Sequence, residues 1–310
     1  YTIFDGIDAV IRSTKIRNLC SEPEKIKKCF SASFDMDNED FDMITLHGSW
    51  ARERHIDRHT VNMGLHQAKS IRGESSHQEH PFLAVLEHKA DWNSGRVYGV
   101  NFIYSGNFVA NVQRNQFDQL RIQMGINPEN FMWTLKQNEE FESPQAVLTY
   151  SEEGLNGMSH QFHALYRNHL VRSKYNHQMR PILINNWEAT YFDFNTEKIL
   201  DIAREASKDG IEMLVLDDGW FGHRNFDDSS LGDWFVNETK LPGGLKYLVD
   251  EVNKLGMKFG LWFEPEMISP DSELFRAHPD WAIQIPDRKP GLSRQQLVLD
   301  ITRPEVLNFQ

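Results

Sequence analysis

Hydrophobic and polar positions follow two different periods along the chain, and the change of period divides it. Up to about residue 150 the period is two. Leu120, Ile122, Met124 and Ile126 alternate with Arg121, Gln123 and Gly125, as do Phe131, Trp133 and Leu135 with their neighbours. Ile3 to Ile16 mixes β-branched and polar residues in near alternation. Val97 to Val112 holds two aromatic-rich runs around Ser105-Gly106-Asn107, a pattern that predicts a hairpin. Strands this dense, with no helical period between them, predict a β-sandwich over residues 1–153. Leu155, Met158, Phe162, Leu165 and Leu170 then recur at helical spacing, so 154–178 reads as a helical linker.

From 179 to 310 strands and helices alternate. PILINNW (181–187) predicts a buried strand. A helix follows with Ile199, Leu200, Ile202, Ala203 and Ala206 on one stripe, capped by Asn195 or Thr196 and ended by Gly210. The apolar run of IEMLVLDDGW (211–220) is the next strand. Leu245, Leu248, Val249, Val252 and Leu255 mark a second helix closed by Gly256, and MKFGLWFEPEM (257–267) a third strand. Asp271 is expected to cap a short helix stopped before Pro279, and another helix is expected near Gln310. This β-α-β-α-β order begins either a doubly wound sheet or a (β/α)8 barrel. No GxGxxG or GxxxxGK[ST] follows a strand, which disfavours a nucleotide-binding sheet. A full barrel needs about 250 residues, more than this region holds. The expectation is therefore an incomplete TIM barrel of about three βα units, in a chain that reads as cut at both ends. It starts at Tyr1 without a signal-like segment.

Charge and composition narrow the partners. Lys plus Arg number 33 against 45 Asp plus Glu, a net charge of −12. Phosphate binding runs on surplus Lys and Arg, so nucleic acid and anionic membranes are disfavoured. No window approaches a transmembrane span. Two cysteines, Cys20 and Cys29, make no disulfide scaffold and point to a reducing, cytoplasmic setting, with a single bridge between them left open. Eight Trp and twenty Phe favour a ring-stacking site or, more plainly, an aromatic core.

Candidate chemistry gathers after the strands: Trp187 and Glu188; Asp217, Asp218 and Trp220; Trp262, Glu264 and Glu266. In a parallel barrel such ends meet at one rim. Carboxylates accept from sugar hydroxyls and aromatic faces cover the apolar side of a ring. Asp217, Asp218, Glu264 and Glu266 are then an acid/base candidate set for glycoside hydrolysis, which needs two carboxylates and no cofactor. Arg294 can pair with a rim carboxylate or donate to a sugar. Against this, Asp-Asp-Gly is commonly only a turn. The stretch 48–82 carries His55, His59, His66, His77 and His80. A metal site there is disfavoured by Arg52, Arg54 and Arg58 and by the lack of ligand spacing, and a loop of surface histidines or an interface segment is the expectation. Trp50 beside these arginines lines a polar site or is an ordinary strand residue.

At these residues the chain resembles glycoside hydrolase family 36, the α-galactosidases. GSWARERH (48–55), RGESSHQ (72–78), NNWEATYFDF (185–194), VLDDGWFG (215–222), GLWFEPEM (260–267) and LSRQQLVLD (292–300) carry the likeness in order along nearly the whole length. The resemblance implies a β-supersandwich followed by a (β/α)8 barrel, and retaining removal of α-linked galactose from melibiose- and raffinose-type sugars. It implies that Asp217 and Asp218 hold the galactose C4 and C6 hydroxyls, that Trp187 and Trp262 wall the pocket and that Arg294 touches sugar. It also implies that Trp50 reaches a neighbouring subunit's pocket in a tetramer. The family's nucleophile and acid/base aspartates match no motif here and are expected beyond Gln310, so no residue of this chain is expected to be catalytic. This reading removes the four carboxylates from the acid/base role, and it leaves no need for a cofactor or metal. The rivals are another α-glycosidase or a raffinose synthase-like transferase, and a non-catalytic carbohydrate-binding protein.

Overall fold

The computed structural model describes residues 1–310, which form two compact units, Tyr1–Asn176 and His177–Gln310. No helix is long and apolar enough to cross a membrane.

The first unit is built around a seven-stranded antiparallel sheet. Its strands run, in spatial order, Thr2–Phe4, Ile7–Arg12, Gln145–Ser151, Val97–Ile103, Glu79–Glu87, Phe41–Ser49 and Arg52–Thr60. Central strands such as Glu79–Glu87 are apolar on both faces, and the two faces go to different cores. Met43, Leu83, Val85, Val100 and Phe102 pack with Phe108, Val112, Leu120, Ile122 and Met124 of a three-stranded sheet, Phe108–Arg114, Gln119–Ile126 and Phe30–Asp37. Ile44, Ala84, Leu86 and Val147 pack instead with Leu155, Met158, Phe162 and Leu165. Those four are the apolar stripe of the helix Gly154–Leu165. The seven-stranded sheet is thus the middle layer of three.

The helix expected as a linker is therefore the third layer of this unit. Small residues let it in. Ala9, Thr149, Gly99 and Ala84 lie side by side across four strands, with Ile44 next in the row. A Cβ on Gly99 would sit 2.6 Å from Met158 Sδ and 2.7 Å from Phe162 Cε2. At the head of the helix Gly154 takes φ +65°, and a Cβ there would lie 2.4 Å from the Asp91 carbonyl.

Two local expectations are corrected. Val97–Ile103 and Phe108–Arg114 do not form a hairpin. The first lies between Glu79–Glu87 and Gln145–Ser151, and the second pairs with Gln119–Ile126. The turn at Ser105–Asn107 carries the chain from one sheet to the other, because Phe102 and Phe108 are both buried in the core between them. The histidine-rich stretch is mostly strand rather than loop: His55 and His59 lie on Arg52–Thr60, His66 on Gly64–Lys69, and His80 on Glu79–Glu87. No three His, Cys, Asp or Glu side chains converge on a point that would hold a metal ion. Cys20 is exposed, Cys29 is buried, and both are free thiols.

Burial, reinforced by the Arg54 cation, holds the His80 imidazole below its ordinary pKa. As pH falls the unfolded chain takes up this proton first. The stability tied to neutral His80 is therefore present above about pH 6.5 and is lost as pH falls toward the lower folded value. His80→Gln should flatten that part of the decline. Urea titrations of the two proteins between about pH 7.5 and about pH 5 measure it, and parallel pH dependences would refute it.

In the second unit the strands Leu183–Asn185, Met213–Leu216 and Lys258–Leu261 form a parallel sheet in that order. Three strands do not close a barrel. The helices Thr196–Lys208 and Gly244–Lys254 pack against it, burying Ile199, Leu200, Ala203, Leu248 and Val252 with Leu214 and Leu216. Asn195 caps the first helix by accepting from the Lys198 amide at 3.0 Å. The strand expected at 181–187 is shorter, because Trp187 already begins the helical turn Trp187–Thr190. The helix Glu273–Ala277 is capped by Ser272 and not by Asp271: the serine hydroxyl accepts from the Phe275 amide at 3.0 Å. Pro304–Phe309 is the helix expected near Gln310.

Candidate sugar-binding site

Parallel strands present their C-terminal ends on one side, and here those ends are tied together by hydrogen bonds. Asn185 donates through Nδ2 to Asp217 Oδ2 at 2.5 Å. The Asp217 amide donates to Asn186 Oδ1 at 2.8 Å. The Trp262 amide donates to the Leu216 carbonyl at 2.9 Å, and Trp220 Nε1 donates to the Trp262 carbonyl at 3.0 Å. Asp217, Asp218 and Trp262 thus share one rim with Asn185 and Asn186, which the sequence placed in the NNWEATYFDF motif but not among the site residues.

The adjacent carboxylates differ in setting. Asp217 is half-buried, and its Oδ1 accepts from the Asp218 amide at 2.7 Å. Asp218 is 3% exposed and faces Arg224, which is 0% exposed. Arg224 donates from Nε to Asp218 Oδ1 and from Nη2 to Oδ2, each at 2.7 Å. Such a fork is the strong, directional form of ion pair. Nη1 of the same arginine donates to the Ser229 carbonyl at 2.7 Å, and its guanidinium lies near the Phe192 and Phe221 rings. Lys240 Nζ donates to the Gly219 carbonyl at 3.0 Å and the Arg224 carbonyl at 2.8 Å. Burial pushes the Lys240 amine below its usual pKa, against the attraction of Asp218 and Asp193. Gly219 takes φ +97°, and a Cβ there would meet Phe192 Cδ1 at 2.9 Å. The turn after the strand needs glycine on both counts.

The aromatic residues separate into two groups. Trp187 is half-buried, with its ring edge-on to Tyr191 and Phe192 at 5.2 and 5.0 Å. Trp262 is half-buried and stacks toward Phe221 at 6.4 Å. Trp220, expected at the rim, is 2% exposed and belongs to the core with Phe221, with the half-buried Trp234 and the exposed Phe263 ring packed against it. It is too deep to serve as a platform for a ring.

Glu264 is half-buried, and its buried Oε2 has no hydrogen-bond partner. Burial raises its pKa, and the Arg294 cation opposes the rise. Glu266, Arg224 and Asp218 are close enough to act on the same carboxyl. Arg294 is exposed at φ +51°, with Nε 3.8 Å from Asp227 Oδ2. Glu188 is exposed and accepts from the Tyr191 hydroxyl at 3.0 Å. Trp50, in the other unit, is 83% exposed at the turn between Phe41–Ser49 and Arg52–Thr60.

The rim therefore offers fixed acceptors, two half-buried indoles and an arginine, a set suited to a neutral polyhydroxylated ring. Arg224 and Lys240 were invisible in the sequence, where both sit in a polar stretch between a strand and a helix. No periodicity distinguishes them from solvated residues.

Comparison with known proteins points the same way. Residues 140–310 match the family model for melibiase, and residues 1–136 match that of the glycosyl hydrolase family 36 N-terminal domain. The α-galactosidase AgaA of Geobacillus stearothermophilus is 50% identical over 309 residues, covering 100% of this chain and 42% of its own length. The α-galactosidase Mel36A of Lactobacillus acidophilus is 47% identical over 306 residues, covering 99% of this chain and 42% of its own length. A crystal structure of an AgaA variant in complex with raffinose superposes with a TM-score of 0.97 at 50% identity, over 99% of this chain and 43% of that one. The chain thus spans about two fifths of the length of the curated relatives it matches.

Proposed function

The chain belongs to glycoside hydrolase family 36, and from that premise we propose that the whole protein is a retaining α-galactosidase acting on melibiose- and raffinose-type sugars. The observation that carries the reading is the Asp217-Asp218 pair, set at a parallel strand end and held by Asn185 and Arg224. In this reading the two carboxylates accept from the galactose hydroxyls at C4 and C6, Trp187 and Trp262 wall the ring, and Arg294 donates to the sugar. Trp50 contacts a neighbouring subunit's pocket in a tetramer. The three parallel strands open a (β/α)8 barrel, and the layered first unit is part of a β-supersandwich.

The reading assigns nucleophile and acid/base to parts of the whole protein other than residues 1–310. Glu264 and Glu266 support the rim. No metal or organic cofactor enters two-carboxylate hydrolysis.

The test compares the whole protein and the 310-residue chain on nitrophenyl α-galactoside, with the N-acetyl-α-galactosaminide as competitor substrate. The whole protein should turn over the galactoside in preference, and the chain should release no nitrophenol above background. Preference for the N-acetylated sugar would move the protein to another α-glycosidase specificity. No turnover of either by the whole protein would favour a carbohydrate-binding role.

A further inference from the structure

We infer that Arg224 is the positioning residue of the sugar site: it fixes the Asp218 carboxylate in the one orientation in which it can accept a substrate hydroxyl. The inference rests on the α-galactosidase reading and deepens it.

Stability alone does not account for this pair. A fully buried ion pair gives up the hydration of both charges, and its replacement by apolar residues of similar volume is often neutral or stabilising. Arg224 is nonetheless among the largest fully buried side chains of the protein. Three of its nitrogens are committed, two to Asp218 and one to the Ser229 carbonyl. Phe192 and Phe221 lie by the guanidinium, and Lys240 holds the Arg224 carbonyl. The arginine is thus held from several parts of the unit at once: the strand end at Asp218, the Ser229 carbonyl, Lys240 and the Phe192 ring.

The geometry has a consequence for Asp218. An ionised carboxylate has about four acceptor directions. The fork occupies one on each oxygen and so fixes the plane of the group. No other protein donor takes the remaining directions, and because Asp218 is 3% exposed only a donor that reaches in past the rim can use them, so it is selected by where its hydroxyl lies. Asp217 is placed separately, by the Asn185 amide and the Asp218 backbone. Loss of Arg224 should therefore loosen one of two hydroxyl contacts and leave the other.

The experiment uses the whole protein with Arg224→Lys and Arg224→Met. Lysine keeps a cation but not the fork, so it serves if the methionine variant does not fold. Thermal melts establish that each variant used is folded. Then kcat/KM is measured on nitrophenyl α-galactoside and on its 4-deoxy and 6-deoxy analogues. The expected result is a loss on the galactoside that exceeds the loss on one of the two analogues by about tenfold or more, because that analogue lacks the hydroxyl Asp218 would hold. The other analogue should lose as much as the parent sugar. Equal losses on all three substrates, or none, would overturn the positioning role while leaving the α-galactosidase reading in place. If the unmodified protein does not distinguish the galactoside from either analogue, the hydroxyl-reading role of the carboxylate pair fails, and the positioning role fails with it.

Discussion

Asp217→Ala and Asp218→Ala should fail in different ways although the residues are neighbours. Asp218→Ala removes the only carboxylate paired with a guanidinium that is 0% exposed. Breaking a buried pair from one side costs about 3–5 kcal/mol, and the guanidinium left behind keeps only the Ser229 carbonyl and has no water. Whole domains are stable by only about 5–15 kcal/mol. The second unit should therefore melt well below its unmodified temperature, and activity should be lost with the fold. Asp217 is half-buried, and its side-chain partner Asn185 is exposed and can be rehydrated, so that only the Asp218 amide loses its acceptor in a buried setting. Its removal should cost about 1 kcal/mol of stability. It should cost about tenfold or more in kcat/KM on an α-galactoside, since a hydroxyl given to a carboxylate is worth about 1.5–3 kcal/mol. Calorimetry and steady-state kinetics on the two variants of the whole protein separate these outcomes. Similar melting temperatures for both would show that Arg224 finds another partner. An unchanged kcat/KM in Asp217→Ala would remove that residue from the site.

Trp220→Ala should act on stability before anything else. Its ring is 2% exposed, 5.1 Å from Phe221 and 5.2 Å from Phe263, and its indole N–H is satisfied by the Trp262 carbonyl. Truncating a buried tryptophan costs about 3–5 kcal/mol through lost transfer energy and the cavity left behind. Trp220→Phe should recover part of this, because an aromatic ring still fills most of the site, while the indole hydrogen bond and the volume of the second ring are lost. Thermal unfolding of the three proteins provides the measurement. A sugar platform would behave in the opposite way, raising KM at an unchanged melting temperature, and that outcome would return Trp220 to the rim.

The same residue illustrates what the sequence could and could not convey. Asp217-Asp218-Gly219-Trp220 placed the carboxylates at a strand end, because an apolar run followed by polar residues is a local signal. Whether the next aromatic faces inward depends on Trp234 and Phe263, which come from other parts of the chain. The helix Thr196–Lys208 was legible to within a residue of its cap, Asn195 or Thr196, since the cap and the stripe Ile199, Leu200, Ala203 and Ala206 are all local. The crossover at Ser105–Asn107 was not. Its two flanking strands look like hairpin partners, and only the packing of Phe102 across from Phe108 tells otherwise. Arg224 is the extreme case. Trp220, Phe221 and Phe226 flank it, but no period marks the arginine itself as buried, and its burial rests on an aspartate six positions earlier, the Ser229 carbonyl, and the rings of Phe192 and Phe221. The family resemblance was readable for a different reason: six long motifs in order constrain far more than any one spacing.

The row Ala9, Thr149, Gly99, Ala84 also decides how the middle sheet keeps its alignment. In a sheet with one wet face, a slip of one residue exposes the apolar set and is punished by water. Strands such as Glu79–Glu87 and Val97–Ile103 are apolar on both faces, so polarity penalises their slipping far less. Size does the work instead. A shift by one along Val97–Ile103 would bring Tyr98 or Val100 to the place of Gly99, against Met158 and Phe162, where even a Cβ has no room. The sheet's alignment is therefore written in side-chain volume, and the helix Gly154–Leu165 reads it.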